Sequence, residues 1–119
     1  MLAGVTPKEW EADYRALLDA SRKANPEQKL VLLEPFVLPV GPLANPDTHK
    51  NWRGKIDLMT AIVARMAKDF NAVHIKTQSI FDSAAKASPP NHWIWDGVHP
   101  LPQGHELIAR NWIEAVSTR

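Results

Sequence analysis

Trp10, Tyr14, Leu17 and Leu18 recur at i, i+4, i+7 and i+8, the stripe of a helix with one buried side. Thr6-Pro7-Lys8-Glu9 opens that helix. Thr6 can accept from the Glu9 amide, the Glu9 side chain can return to Thr6, and Pro7 takes the position whose amide is spare. Val5 and Trp10 fit the accompanying hydrophobic staple, Arg22 and Lys23 suit the negative end, and Asn25-Pro26 stops the helix. Leu30-Val31-Leu32-Leu33 follows with no polar alternation. That is the pattern of a strand covered on both faces, and it favours a parallel sheet.

Pro35, Pro39, Pro42 and Pro46 remove amide donors and push each preceding residue towards extended geometry, so residues 34–47 are expected to form a long, stiffened loop. Asp47 or Thr48 can cap a second helix, striped by Trp52, Ile56, Met59, Val63, Met66 and Phe70 and weakened at Gly54. Residues 72–75 are expected to form a second strand, and residues 77–87 a loop with one or two helical turns. Ser88-Pro89-Pro90-Asn91 breaks the chain again. Pro102 then opens a last helix with Leu107, Ile108, Trp112, Ala115 and Val116 on its buried face. Glu106, Arg110 and Glu114 form a solvated salt-bridge row on the other side. The order helix, strand, helix, strand, helix is α/β, with three main helices packed on two parallel strands. Sheets usually have about five or six strands, so this one is expected to lack part of its complement.

At 119 residues the chain is expected to form a single unit, residues 1–119, with enough apolar content for a core. Fourteen Lys and Arg balance thirteen Asp and Glu, which argues against nucleic acid and against an anionic membrane surface. There is no cysteine, so disulfides, thiolate metal sites and Cys nucleophiles are excluded. The longest apolar runs are far shorter than the roughly 20 residues that span a bilayer. Met1-Leu2-Ala3-Gly4-Val5 lacks the charged and apolar regions of a signal peptide, which leaves the compartment open.

The sharpest chemical signal is Asp96-Gly97-Val98-His99-Pro100. A turn can fold this spacing so that the Asp96 carboxylate holds the His99 Nδ1 proton and leaves Nε2 as a base aimed outward. Gly97 permits a tight or left-handed turn, while Pro100 and Pro102 restrict the exit. The spacing by itself, being short, favours a turn Asp and a satisfied surface His over a catalytic pair. His49, His74, His92 and His105 are expected to be structural or exposed. No pattern among them supports a metal, and no cofactor is expected. Trp93 and Trp95 are expected to pack or cover the core before lining any cleft.

Trp95-Asp96-Gly97-Val98-His99-Pro100, followed by Gly104-His105-Glu106-Leu107-Ile108-Ala109 and Trp112, resembles the final conserved block of the SGNH, or GDSL, ester hydrolases. The opening helix, the run from Val31 to Pro35 and Phe81-Asp82 extend the resemblance over essentially the whole chain. The resemblance implies Asp96 as orienter and His99 as general base of a Ser-His-Asp triad. It also implies a flavodoxin-like three-layer α/β/α sandwich, of which this chain would be the C-terminal half. The family's Gly-Asp-Ser block and its oxyanion-hole Gly and Asn have no counterpart here, and its first three strands would precede Met1. Leu101 stands where relatives commonly carry a Ser or Thr that caps the last helix. Ser21, Ser79, Ser83, Ser88 and Ser117 all lack the exposed turn that a nucleophile needs.

The resemblance therefore implies hydrolysis of a small acyl or acetyl ester only if the site is completed, and inactivity alone. Two alternatives stand beside it: a non-catalytic, self-associating half-domain, and a fragment completed by a separate N-terminal chain. A homodimer is expected, either through the exposed edge of the Leu30 to Leu33 strand or by helix exchange.

Overall fold

The computed structural model describes residues 4–118. Helix α1 spans Pro7–Ala24, strand β1 Val31–Leu33, helix α2 Pro46–Asp69, strand β2 Val73–Ile75, helix α3 Thr77–Ala87, helix α4 Pro90–Trp93 and helix α5 Pro102–Ser117, with a 3-10 turn at Gly41–Leu43. The α/β reading holds: β1 and β2 pair in parallel with Val31 opposite Val73, Leu32 opposite His74 and Leu33 opposite Ile75.

The start of α1 is the expected capping box. The Glu9 amide donates to Thr6 Oγ1 over 3.1 Å, and the Thr6 amide donates to Glu9 Oε2 over 2.8 Å. Helix α2 begins earlier than expected. Asn45, not Asp47 or Thr48, caps it by accepting from the amides of Asp47 and Thr48, because Pro46 is preset for the first helical position. Its far end closes in a paired turn. The Asn71 amide reaches the Lys68 carbonyl and the Ala72 amide the Ala67 carbonyl, with Asn71 at φ 50°, a conformation that Asn tolerates better than most residues. This reversal feeds the chain directly into β2.

Leu18, Leu32, Ile62, Val63, Met66, Ala67 and Ala72 form one buried cluster, with Trp10, Tyr14, Leu30 and Phe70 packed around it. Burying side chains such as Met66 and Val63 contributes roughly 1.5–3 kcal/mol each. The Arg22 guanidinium donates to the Phe70 carbonyl over 2.7 Å, and Arg15 and Arg65 pair with Asp69 and Glu11. These bonds align α1 along α2.

Four expectations are corrected here. The β1 run is not covered on both faces: Leu32 is buried, but Leu33 is 38% exposed, and among the described residues no element closes over that side of the strand's end. Residues 77–87 are not a loop with a turn or two but a full helix, α3. Burial of Thr77, Gln78 and Phe81 overrides the weak helix preference of its Thr, Ser and Phe. The break at Ser88-Pro89-Pro90-Asn91 contains a short helix, α4, because Pro90 sits at a helix start where its missing amide costs nothing. Lastly, Trp112 is 40% exposed although its stripe marked it for the interior, and Gly104 is the one buried residue of α5.

Candidate active site

Residues 94–101 form a narrow loop on which Asp96 and His99 stand together. Ile94 and Pro100 make an antiparallel bridge at its base. The Leu101 amide donates to the Trp93 carbonyl over 2.8 Å, and the Trp95 amide to the His99 carbonyl over 3.2 Å. Gly97 takes φ 101° at the tip, and a Cβ there would lie 2.7 Å from Leu43 Cδ1. Both the backbone and the neighbour therefore demand glycine. Gly104 has a related role one turn into α5: its Cβ would come within 2.4 Å of the Trp93 carbonyl, so its absence lets the helix close on the loop.

Within the turn, Asp96 Oδ1 accepts from the amides of Val98 (3.0 Å) and His99 (2.7 Å), an Asx-type turn that locks the carboxylate. Asp96 Oδ2 holds His99 Nδ1 in a short hydrogen bond. With Nδ1–H committed to the carboxylate, Nε2 keeps its lone pair. Among the described residues Nε2 makes no hydrogen bond, and the imidazole is 67% exposed. This is the arrangement of an oriented base open to a substrate. Burial, the largest single influence on the Asp96 carboxyl, pushes its pKa up. The bonds from the His99 ring and from the Val98 and His99 amides together outweigh it and hold the group at about 2, below its ordinary 3.8. Asp96 is therefore ionised wherever His99 could act as a base.

The sequence also marked Trp93 and Trp95 for the core. Trp93 is half-buried, and its indole donates to the Ala84 and Ser88 carbonyls. Trp95 is instead 60% exposed, and it stacks on the His99 ring with centroids 5.8 Å apart and planes at 23°. His74 bonds Glu34 over 2.8 Å, His92 stands edge-on to Trp93, and His105 is exposed. His49 is partly buried, with Nε2 lacking a partner. None of the four joins the Asp96–His99 pair. Among the described residues no three His, Cys, Asp or Glu side chains gather as metal ligands, and no helix is long and apolar enough to cross a membrane.

What sequence reasoning missed is the support beneath the turn. The Leu38 amide donates to the Gly97 carbonyl over 3.0 Å, and Val37, beside Leu38, is held by Gln78. Gln78 Oε1 accepts from the Val37 amide over 2.8 Å, and Nε2 donates to the Val37 carbonyl over 3.0 Å. A groove of about 390 Å³, walled by Phe36, Trp52, Met59 and Val98 among others, opens between this loop, α2 and the Asp96–His99 turn. Only Phe81-Asp82 hinted at this region, since residues 41 positions apart in sequence, as Val37 and Gln78 are, leave no periodic signal.

The serines stand apart from the turn. Ser79 and Ser83 lie within α3, Ser88 follows it, Ser21 and Ser117 lie on helices, and none of them bonds His99.

Residues 1–107 match the GDSL-like lipase/acylhydrolase family. An acetylxylan esterase of Geobacillus stearothermophilus is 28% identical over 108 residues, which are 91% of this chain and 46% of that protein. A crystal structure named for a GDSL-like lipase from Parabacteroides merdae superposes with a TM-score of 0.87 at 33% identity, over 98% of this chain and 52% of that one. The crystal structure of Axe2, the acetylxylan esterase of G. stearothermophilus, does so with 0.74 at 26% identity, over 94% and 48%. Catalytic mutants of Axe2 replace a serine, an aspartate and a histidine by alanine. The chain thus spans about half the length of the relatives it matches.

Proposed function

Because this chain belongs to the GDSL-like lipase/acylhydrolase family, we propose that it carries the acid–base half of a serine ester hydrolase, with Asp96 as orienter and His99 as general base. The observation that carries this reading is the Asp96 carboxylate holding His99 Nδ1 while Nε2 faces outward from an exposed ring. The nucleophile then comes from polypeptide outside residues 1–119. Its hydroxyl attacks the ester carbonyl as its proton passes to His99 Nε2, and the resulting imidazolium protonates the departing alkoxide. The acyl-serine left behind is cleaved by a water that His99 deprotonates, which releases the carboxylic acid and restores the serine. A small acyl or acetyl ester is the substrate class, and the kinship with an acetylxylan esterase favours an acetylated sugar.

The test is nitrophenyl acetate turnover by the 119-residue chain, alone and mixed with the N-terminal half of a relative that bears the Gly-Asp-Ser block. Alone, turnover is expected at the buffer rate. In the mixture it is expected to rise and to fall by at least about a hundredfold in His99→Ala. Turnover by the chain alone that disappears in His99→Ala would overturn the division of the site.

The free edge of β1 favours a second reading. Leu33 is exposed, and among the described residues one edge of the strand has no partner, so two copies can pair there antiparallel about a two-fold axis, or exchange a helix across the long loop. That homodimer competes with an incoming N-terminal half for the same edge. A well-folded monomer in light scattering at micromolar concentration would rule it out.

A further inference from the structure

We propose that Gln78 is a positioning residue for the Asp96–His99 pair, acting through the loop whose backbone its side-chain amide clamps at Val37. The proposal deepens the hydrolase reading and rests on it for the word positioning, but its test does not depend on activity.

Gln78 is 3% exposed and Val37 fully buried, so every polar atom here needs a partner. The amide meets that demand from both ends. Its oxygen accepts from the Val37 amide, one N–H goes to the Val37 carbonyl, and the other goes to Asp82 Oδ1 over 3.0 Å. A two-way grip on a single peptide residue fixes both position and rotation. Asp82 is itself immobilised, because Arg53 grips both its carboxylate oxygens over 3.0 and 2.8 Å. At the other end the Gln78 backbone N–H donates to Glu34 Oε1 over 3.3 Å, while Glu34 Oε2 bonds His74. The clamp is thus anchored to α2, to the end of β1 and to β2.

From Val37 the constraint passes one residue along. The Leu38 amide donates to the Gly97 carbonyl, and Gly97 lies between Asp96 and the Val98 amide that feeds Asp96 Oδ1. Pro39 follows immediately, stiffening the loop at that point. An apolar side chain at 78 would leave the Val37 amide and carbonyl buried without partners, and the loop would move to find water. The Leu38–Gly97 bond would go with it, and the turn would lose the support that keeps the carboxylate oxygens on the Val98 and His99 amides.

The test uses NMR on the 119-residue chain. Gln78→Met, similar in length and apolar, is expected to speed exchange of the Leu38 amide at least about tenfold and to move the Asp96 carboxyl midpoint up from about 2 towards 3.8. Should that variant fail to fold, Gln78→Glu takes its place with the same two readouts. It keeps an acceptor for the Val37 amide but confronts the Val37 carbonyl and Asp82 with no donors. Val63→Ala, a truncation in the other cluster, is the control for general loosening and is expected to leave the Asp96 midpoint at about 2. Either of two results would overturn the proposal: an unchanged Asp96 midpoint in the Gln78 variant, or an equal shift in Val63→Ala. If the Gln78 variant shifts both readouts while the mixture made with the unsubstituted chain shows no nitrophenyl acetate turnover, the result counts against the hydrolase reading alone.

Discussion

The two ends of this molecule are held together by different physics. Around Leu18, Leu32, Val63 and Met66 the contacts are apolar side chains from two long amphipathic helices and one strand, and each helix carries its own start signal in a few consecutive residues. Around the Asp96–His99 turn a smaller apolar cluster of Leu38, Val40, Phe81 and Ile94 is overlaid by buried polar bonds and by glycines that meet neighbouring atoms. The first arrangement tolerates modest change because hydrophobic contacts are not directional. The second does not, because a hydrogen bond or a left-handed residue is either in place or lost.

Truncating a core side chain at each end tests that contrast most strongly. Phe81→Ala is expected to cost about 3–5 kcal/mol and Met66→Ala about 2–5, both being fully buried, as urea titration would measure. The two should part in local effect. Phe81→Ala should also abolish the slow amide exchange of Leu38 at denaturant levels where the chain is still folded, whereas Met66→Ala should leave it. Equal loosening of the turn by both variants would mean that the two regions are one cooperative unit.

A second pair of variants makes the same chemical change at the two ends. Gly97→Ala places a methyl against Leu43 at a positive φ and is expected to destabilise by about 2–3 kcal/mol. Gly54→Ala, in α2, meets nothing within 4 Å and is expected to stabilise by about 1 kcal/mol through helix propensity. Thermal melts of the two would show opposite signs. A shared sign would break the comparison.

The smallest expected effect is in acid. Asp96 is held below its ordinary pKa in the folded chain, so its contribution is complete above pH 3.8 and is withdrawn as pH falls through about 2. Carboxyl chemical shifts of Asp96 should titrate with a midpoint near 2. A midpoint near 3.8 would show that the turn amides do not hold the carboxylate in solution.

The same contrast explains what could be read in advance. Helix α1 was legible to its cap because Thr6, Pro7 and Glu9 act on one another within four residues. The Asp96–His99 pair was legible because its partners are three residues apart on one turn. Helix α3 was not, since its N-cap Lys76 makes no side-chain bond and its stability comes from burying Phe81 against residues distant in sequence. The exposure of Trp95 and Trp112 was equally invisible: a stripe says which face is apolar, not whether anything covers it.

The order of elements, the reading frame of the amphipathic faces and the Asp96–His99 pair follow from interactions of short sequence range, which the order of residues encodes directly. The grip of Gln78 on Val37, the support of Gly97 by Leu38, the pairing of β1 with β2 and the outward Trp95 depend on contacts between segments that meet only once the chain has folded. Such contacts have no period and no fixed spacing, so only the tertiary structure could decide them.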